Sequence, residues 1–483
     1  MILAYDFGTG GIKAALFDDD GRPVRDAFAG YETFYPEKGM HEQRPCDWWK
    51  AVVESSRALG DLSGVRAIGV SGHSLGVVPL DADGRLLRES VPIWSDSRAS
   101  AEAEEFCADG EWYMRTGCGF PAGLYSVFKM MWLKKHEPEW FSRTATVLGT
   151  KDWINFKLCG VCATDNSYAT GTGVYDLQTR DYAVDLVARS GIAPELFPRI
   201  VKSSEVLGEV LPEVARELGL PSGVAVVAGG VDNSCMALGA GAFTDGRAYA
   251  SLGSSAWIAV SSSTPILDAG TRPYVFDHVV PGQYASALAV FSAGTSHVWL
   301  RNILGLDFAK MDSLAESSGR GANGLFFNPS LAGGSSLDPS PSIRGGFAGL
   351  ELRHTRGDLA RAVMEGVAYG MRTVMEELCR RIPVADPLIL TGGGAKSALW
   401  RRIYADVFGR SVVPGSAGQQ CAALGAAALA AVGAGIWRDF SRIADIASVG
   451  EVVDPDPQAA IFHASQYRRF ISLSRHLASW AEE

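Results

Sequence analysis

The chain has 483 residues, 47% of them hydrophobic and 20% charged, a balance that excludes wholesale disorder and gives room for two large packed domains. Its net charge of −10 and its lack of a basic block argue against a nucleic-acid surface, because such surfaces neutralise phosphates with clustered Lys and Arg. Eight cysteines in so long a chain make no dense disulfide framework and are expected to be reduced packing residues.

The N-terminus, MILAYDFGTGG, has no positive n-region and places Asp6 where a signal peptide needs its apolar run, so the chain is expected to stay in the cytoplasm. Ile2 to Phe7 and Ile12 to Phe17 are apolar and separated by a glycine turn, which predicts antiparallel strands opening the fold. A carboxylate inside such a strand needs partners that the strand does not supply. Asp6 stands directly before Gly8-Thr9-Gly10-Gly11, where small residues let backbone N–H groups and the Thr9 hydroxyl approach phosphate oxygens, and Lys13 adds a positive charge.

Helical spacing of apolar residues predicts helices over Pro45 to Leu59 and Ser126 to His136. Between them, Gly72-His73-Ser74-Leu75-Gly76 spells G-x-S-x-G after an apolar run. An α/β-hydrolase elbow with Ser74 as nucleophile needs a helix next. VVPLDADGRLL follows instead, which reads as another strand and hairpin. Cys159 and Cys162 form a CxxC without a second pair at zinc-ligand spacing, so neither a zinc site nor a redox motif is expected.

Ala225 to Asn233 reads as a buried strand running into a glycine turn that presents Asp232 at its exit, a position that suits a general base. Glycines cluster at 239 to 246, and the domain boundary is placed there, giving domains 1–240 and 241–483. Just beyond it, YASLGSSAWIAV repeats the pattern of AYDFGTGGIKAA, with Gly253 falling 245 residues after Gly8. This predicts a duplicated α/β domain, and two facing hairpins carrying Gly8 to Gly10 and Gly253-Ser254 could clamp one polyphosphate.

Leu359 to Arg381 is again helical in pattern. Leu388 to Ser397, LILTGGGAKS, is a strand followed by three glycines and a helix. It is not a Walker A loop, since Ala395 and not glycine precedes Lys396; its glycines suit close approach of backbone to a flat adenosine. The uncharged stretch Ser411 to Trp437 is rich in Ala and Gly, which suits a close-packed internal helix better than a membrane span. Pro457 to Glu483 reads as a terminal helix.

DFGTGGIK, GGVDN, SLGSS, AGTSHVW and GGGAKSALWRR occur in the order seen in xylulokinase-like members of the FGGY carbohydrate kinases, so the chain resembles that family over almost its whole length. SVFKMMWLKKH is similar to the family's first signature, departing only at Leu124 just upstream. Gly345 to Glu365 looks like the second signature throughout. The resemblance implies two actin-like (ribonuclease H-like) domains with a nucleotide cleft between them, and ATP-dependent phosphorylation of a sugar or polyol with Mg²⁺. It implies that Asp6 and Asp232 lie beside the metal, with Asp232 as base and Asn233 next to the substrate. Gly8, Thr9, Gly10, Lys13, Gly253 and Ser254 would face phosphates, and Gly294, Gly393, Gly394 and Ala395 would border the nucleotide.

His73, Ser74 and Leu75 would contact the sugar. They stand where xylulokinases carry Gln-Met-His, and the Arg-Glu pair of glycerol kinases is missing, so the resemblance leaves open which ketose or polyol is the acceptor. An actin-like regulatory ATPase is a further reading, disfavoured by the two signatures. No membrane or nucleic-acid partner is expected, and a homodimer is left open.

Overall fold

The computed structural model describes residues 1–107, 110–415, 418–447 and 450–483, apart from the side chain of Gln419. The chain divides into two units, the first made of 1–243, 262–286 and 420–447, the second of 244–261, 287–419 and 448–483. The first crossing falls close to the expected 240/241 division, but each unit is discontinuous in sequence because two later segments join the first.

The first unit opens with β1 (Ile2–Gly8), β2 (Gly11–Phe17) and β3 (Pro23–Gly30), and adds β4 (Ala67–Gly72), β5 (Val206–Glu209) and β6 (Ala225–Val231). The sheet order is β5–β6–β4–β1–β2–β3. β1 pairs antiparallel with β2, placing Asp6 opposite Lys13, and parallel with β4, placing Asp6 opposite Ser71. Side chains of β1 such as Leu3, Tyr5 and Phe7 join Trp48, Val52 and Ile68 in a buried cluster, the apolar content that makes this strand central. Packed helices include α1 (Pro45–Leu59), α2 (Ser126–His136), α3 (Thr150–Cys159) and α4 (Asp232–Gly239).

The second unit repeats the pattern. Its strands β7 (Ala248–Leu252) and β8 (Ala256–Ser262) form an antiparallel hairpin, followed by β9 (Tyr284–Val290), β10 (Leu388–Thr391) and β11 (Val412–Pro414). Within the second six-stranded sheet these run β9–β8–β7–β10–β11, with β7 parallel to β10 and β10 parallel to β11. The central strand of each sheet is therefore the first strand of a hairpin, flanked on its other side by a parallel strand from later in the chain. Two copies of one topology agree with the duplication read from the hairpins.

Helices of the second unit include α5 (Gly294–Leu304), α6 (Arg356–Cys379) and α7 (Ala398–Phe408). The N-terminus of α6 carries a reciprocal capping box between Thr355 and Asp358, which satisfies N–H groups left open at a helix start. α8 (Cys421–Gly433) belongs to the first unit and α9 (Pro457–Trp480) to the second. α8 is the close-packed internal helix that the alanine- and glycine-rich stretch predicts. A Cβ on Gly69 of β4 would stand 2.1 Å from the Ala426 carbonyl, and one on Gly425 1.9 Å from that of Cys235 in α4, so backbone lies against backbone there. Among the described residues, no helix is long and apolar enough to cross a membrane.

Candidate active site

In the first unit, β1, β4 and β6 end side by side, and their ends carry the chemistry. Asp6 accepts a 3.3 Å hydrogen bond from the Ser71 hydroxyl. Burial raises the Asp6 carboxyl above the ordinary carboxylate range, while Lys13 and Ser71 oppose the rise. Asp232 does not follow a glycine turn, as the sequence suggests. Gly229 and Gly230 lie within β6, where the pairing with β4 shifts register between Val227 and Gly230, and Asp232 is the first residue of α4. Gly229 adopts φ +72°, and a Cβ there would sit 1.9 Å from the Val70 carbonyl, so only glycine fits this bulge. Burial, reinforced by the neighbouring Asp6 charge, pushes the Asp232 carboxyl up to about 7 against the opposing Asn233 N–H. Two carboxyl groups that repel each other in a buried place hold protons, or a cation, more readily than either would alone.

The Gly8 to Gly11 turn is anchored by side chains that sequence reasoning did not single out. Tyr31 donates to the Gly8 carbonyl, Gln43 Nε2 to the Thr9 carbonyl at 2.7 Å, and Trp94 Nε1 to Thr9 Oγ1 at 2.9 Å. Thr9 and Gly10 themselves are exposed, as is Lys13. Trp94 is followed by Asp96 and Arg98, whose buried ion pair at 2.7 Å also engages Glu42 at 2.6 Å. Charged residues this close to one another in sequence carry no sign of burial, which is why the sequence gives no warning of them.

The His73–Leu75 turn leaves β4 beside Asp6. Its backbone is gripped on several sides: Tyr168 Oη donates to the His73 carbonyl at 2.7 Å, and Lys129 Nζ to the Leu75 carbonyl at 2.9 Å and the Ile93 carbonyl at 2.7 Å. Lys129 and Ser126, which donates to the Gly76 carbonyl, both come from α2, so the SVFKMMWLKKH helix braces this turn. Burial depresses His73 to about 4, and neither ring nitrogen makes a well-formed hydrogen bond among the described residues. Leu75 differs from expectation. Its side chain is only 2% exposed and packs with Tyr125, Val127 and Val174 in a core cluster, while its backbone stands at φ 67°.

The G-x-S-x-G reading fails in the structure. No helix follows Ser74; the next element is the short strand Val78–Leu80, so Ser74 gains no helix N-terminus to build an oxyanion hole. Cys159 is buried at the end of α3 and its thiol is raised by burial, as is that of Cys162, the opposite of an activated thiol.

In the second unit, the β7–β8 turn holds Gly253 and Ser254. The first N–H groups of α5 bond back to it: Gly294 N–H to the Gly253 carbonyl at 2.9 Å, and Thr295 N–H to that of Ser254 at 3.0 Å. A Cβ on Gly294 would lie 2.4 Å from the Gly253 carbonyl, which explains the glycine. A Cβ on Gly393 would meet open space, whereas one on Gly394 would come within 3.1 Å of the Trp400 ring, and Ala395 is buried. The structure thus gathers Gly253, Ser254 and Gly294 into one place, and brings Asp6, Asp232 and the His73–Leu75 turn to neighbouring strand ends in the first unit.

Known proteins match both halves of the sequence. Residues 1–239 match the family described as FGGY family of carbohydrate kinases, N-terminal domain, and residues 248–434 its C-terminal domain. The xylulose kinase of Bacillus subtilis (strain 168) is 30% identical over 455 residues, covering 92% of this chain and 90% of that protein. Among solved structures, a xyloylose kinase from Brucella ovis superposes with a TM-score of 0.91 at 28% identity, with 99% of each chain covered. A gluconate kinase from Lactobacillus acidophilus gives 0.89 at 25% identity, covering 99% of this chain and 98% of that one.

Proposed function

This chain belongs to the FGGY family of carbohydrate kinases, and on that premise we propose that it transfers the γ-phosphoryl group of ATP to a hydroxyl of a ketose or polyol, in the manner of a xylulokinase, with Asp232 as general base. The observation that carries this reading is the place of Asp232: at the end of a central strand, beside Asp6, with its carboxyl pushed up to about 7. A carboxylate at such a strand end is in place to orient an attacking hydroxyl and accept its proton as the phosphoryl group is transferred.

Asp6 and Asp232 fit Mg²⁺, since two adjacent carboxylates are the hard oxygen donors this ion takes, one or two at a time. When bound, the ion neutralises charge on the phosphate oxygens. Asp232 orients the acceptor hydroxyl and receives its proton, and Asn233 lies next to it. The turns at Gly8-Thr9-Gly10 and Gly253-Ser254, with Lys13, hold phosphate groups through backbone N–H and hydroxyl donors. Gly294, Gly393, Gly394 and Ala395 border the nucleoside. His73 and Ser74 stand at the acceptor wall, with the His73 ring buried. Leu75, its side chain in the core, shapes this wall through its backbone.

The relatives named xylulose kinase and gluconate kinase show that one fold accepts chemically different sugars, and the His73-Ser74-Leu75 triplet differs from the xylulokinase pattern. The test is a panel of pentoses, hexoses, ketoses, aldonates and polyols assayed by coupled ADP release. A ketose or polyol should stand out by at least about tenfold in kcat/KM, and an enzyme that releases ADP at one rate whatever the acceptor would refute the proposal.

A further inference from the structure

Behind the strand end that delivers Asp232 lies a buried charged network. Lys151, fully buried on α3, pairs with Asp152 at 2.6 Å and with Asp165 at 3.1 Å. Burial alone would depress its ammonium, but the two carboxylates reverse this and hold its pKa above the ordinary lysine value. A cation in such a place costs several kcal/mol to desolvate unless it is fully paired, so a specific task is expected of it.

Its third bond shows the task. Lys151 Nζ donates to the Ala228 carbonyl at 2.9 Å, and Asn155 Nδ2 reaches the same oxygen at 2.8 Å. Ala228 opens the bulge of β6, where the register shift leaves its carbonyl available to them. Asp165 is the hub on the other side. Its Oδ2 accepts from the Ser167 N–H at 3.0 Å, from the Ser203 hydroxyl at 2.7 Å, and from the Ser167 hydroxyl. With its proton committed to Asp165, the Ser167 hydroxyl oxygen accepts the N–H of Val231 at 3.0 Å. Val231 is the last residue of the strand and immediately precedes Asp232. The bulge is thus held at both of its ends, at the Ala228 carbonyl and at the Val231 N–H, by one connected set of buried polar groups.

We propose that Ser167, backed by Asp165 and Lys151, is the positioning residue for Asp232, fixing the backbone from which the base projects. This rests on the reading of Asp232 as the base. Ser167 touches neither acceptor nor nucleotide in this role; it acts through the Val231 N–H. Removing its hydroxyl leaves that N–H without its partner and unties Asp165 from the Val231 end of the strand, so the carboxyl of Asp232 loses its fixed direction while the phosphate-facing turns are untouched.

The experiment compares Ser167→Ala, Ser167→Thr and Asp165→Asn with the parent protein, using its best acceptor, and measures kcat, both KM values and the thermal midpoint. Ser167→Ala should lose roughly 10- to 100-fold in kcat, the scale on which misplaced catalytic groups act, with KM for ATP within about twofold of the parent. Ser167→Thr, which restores the hydroxyl, should recover most of it, and Asp165→Asn, which removes the charge that orients Ser167, should lower kcat as well. Folded Ser167→Ala and Asp165→Asn proteins with parental kcat would overturn the proposal. So would a loss shared equally by kcat and ATP binding that Ser167→Thr does not restore, since that is general damage. Asp232→Asn is run alongside: if it is inactive while Ser167→Ala is normal, the positioning role alone falls, and if Asp232→Asn itself turns over normally, the assignment of the base falls first.

Discussion

Lys129 Nζ, its pKa depressed by burial to about 7, donates to the carbonyl of Leu75 at 2.9 Å and so secures a turn whose leucine is held at φ 67°. A left-handed leucine costs on the order of 1–2 kcal/mol and persists because its carbonyl is caught and its side chain is packed in the core. Lys129→Met should therefore release both the Leu75 and Ile93 carbonyls without partners, at a cost of about 2–5 kcal/mol. Denaturant unfolding would register this as a lower midpoint, and acceptor KM should rise with it. A variant as stable as the parent would show that the bonds contribute nothing net.

Asp232→Asn keeps the size of the side chain and removes its basicity, so kcat should fall by roughly 10²-fold or more. ATP binding, followed by fluorescence or calorimetry, should survive. Near-parental turnover with the preferred acceptor would mean that another group takes the proton.

Gly171 lies against the same turn. A methyl group there would come within 3.1 Å of Leu75 Cδ2 and 3.1 Å of Ser74 Cβ, tighter than comfortable contact. Gly171→Ala should press the turn toward the acceptor and raise acceptor KM several-fold, about 1 kcal/mol, leaving KM for ATP unchanged. Steady-state kinetics with each substrate varied in turn decides this, and an unmoved acceptor KM would place the turn away from the sugar.

In the second unit, Gly294→Ala drives a Cβ into the Gly253 carbonyl, 2.4 Å away. The β7–β8 turn and the start of α5 must separate. KM for ATP should rise by about tenfold or more, equivalent to about 1.4 kcal/mol, while acceptor specificity stays the same. If nucleotide affinity were unchanged by equilibrium binding, these residues would not border the nucleotide.

His73, His278 and His463 are buried in their neutral form: burial lowers His73 to about 4, and the other two to about 3. In the unfolded chain each titrates near about 6.5. At these three rings the unfolded state binds more protons below that pH, so their contribution to stability falls as pH drops from about 6.5 toward 4, by up to about 1.4 kcal/mol per pH unit for each histidine, while the raised carboxyls of Asp6 and Asp232 act in the opposite sense. The histidine part is read as the difference between the parent and a His278→Gln variant in urea midpoints at about pH 7, 6 and 5: the parent should decline more steeply, and equal slopes would show that the ring is hydrated.

The sequence alone determined the elements whose signal is local. Hydrophobic spacing marks α1, α2 and the terminal helix; the matched hairpins around Gly8 and Gly253 mark a duplication; and Asp6 and Asp232 announce themselves as carboxylates attached to apolar strands. The same local rules misplace Gly229 and Gly230. A glycine pair after an apolar run reads as a turn, but these glycines stay in the sheet, because the Val70 carbonyl approaches Gly229 so closely that no side chain fits. Only the neighbouring strand reveals this.

What the tertiary structure decided is the set of contacts made over long sequence separations. Ser167 meets Val231, Lys129 meets Leu75, and Trp94 meets Thr9, pairs that no periodicity or motif links. Leu75 shows the same limit: its position in a motif suggests a sugar contact, whereas packing buries its side chain in the core. A buried lysine such as Lys129 or Lys151 reads in sequence as an ordinary surface charge, since burial of a charge is tolerated only when partners from distant segments converge on it. That convergence is a property of the folded chain, and it is what fixes the two strand ends from which Asp6 and Asp232 project.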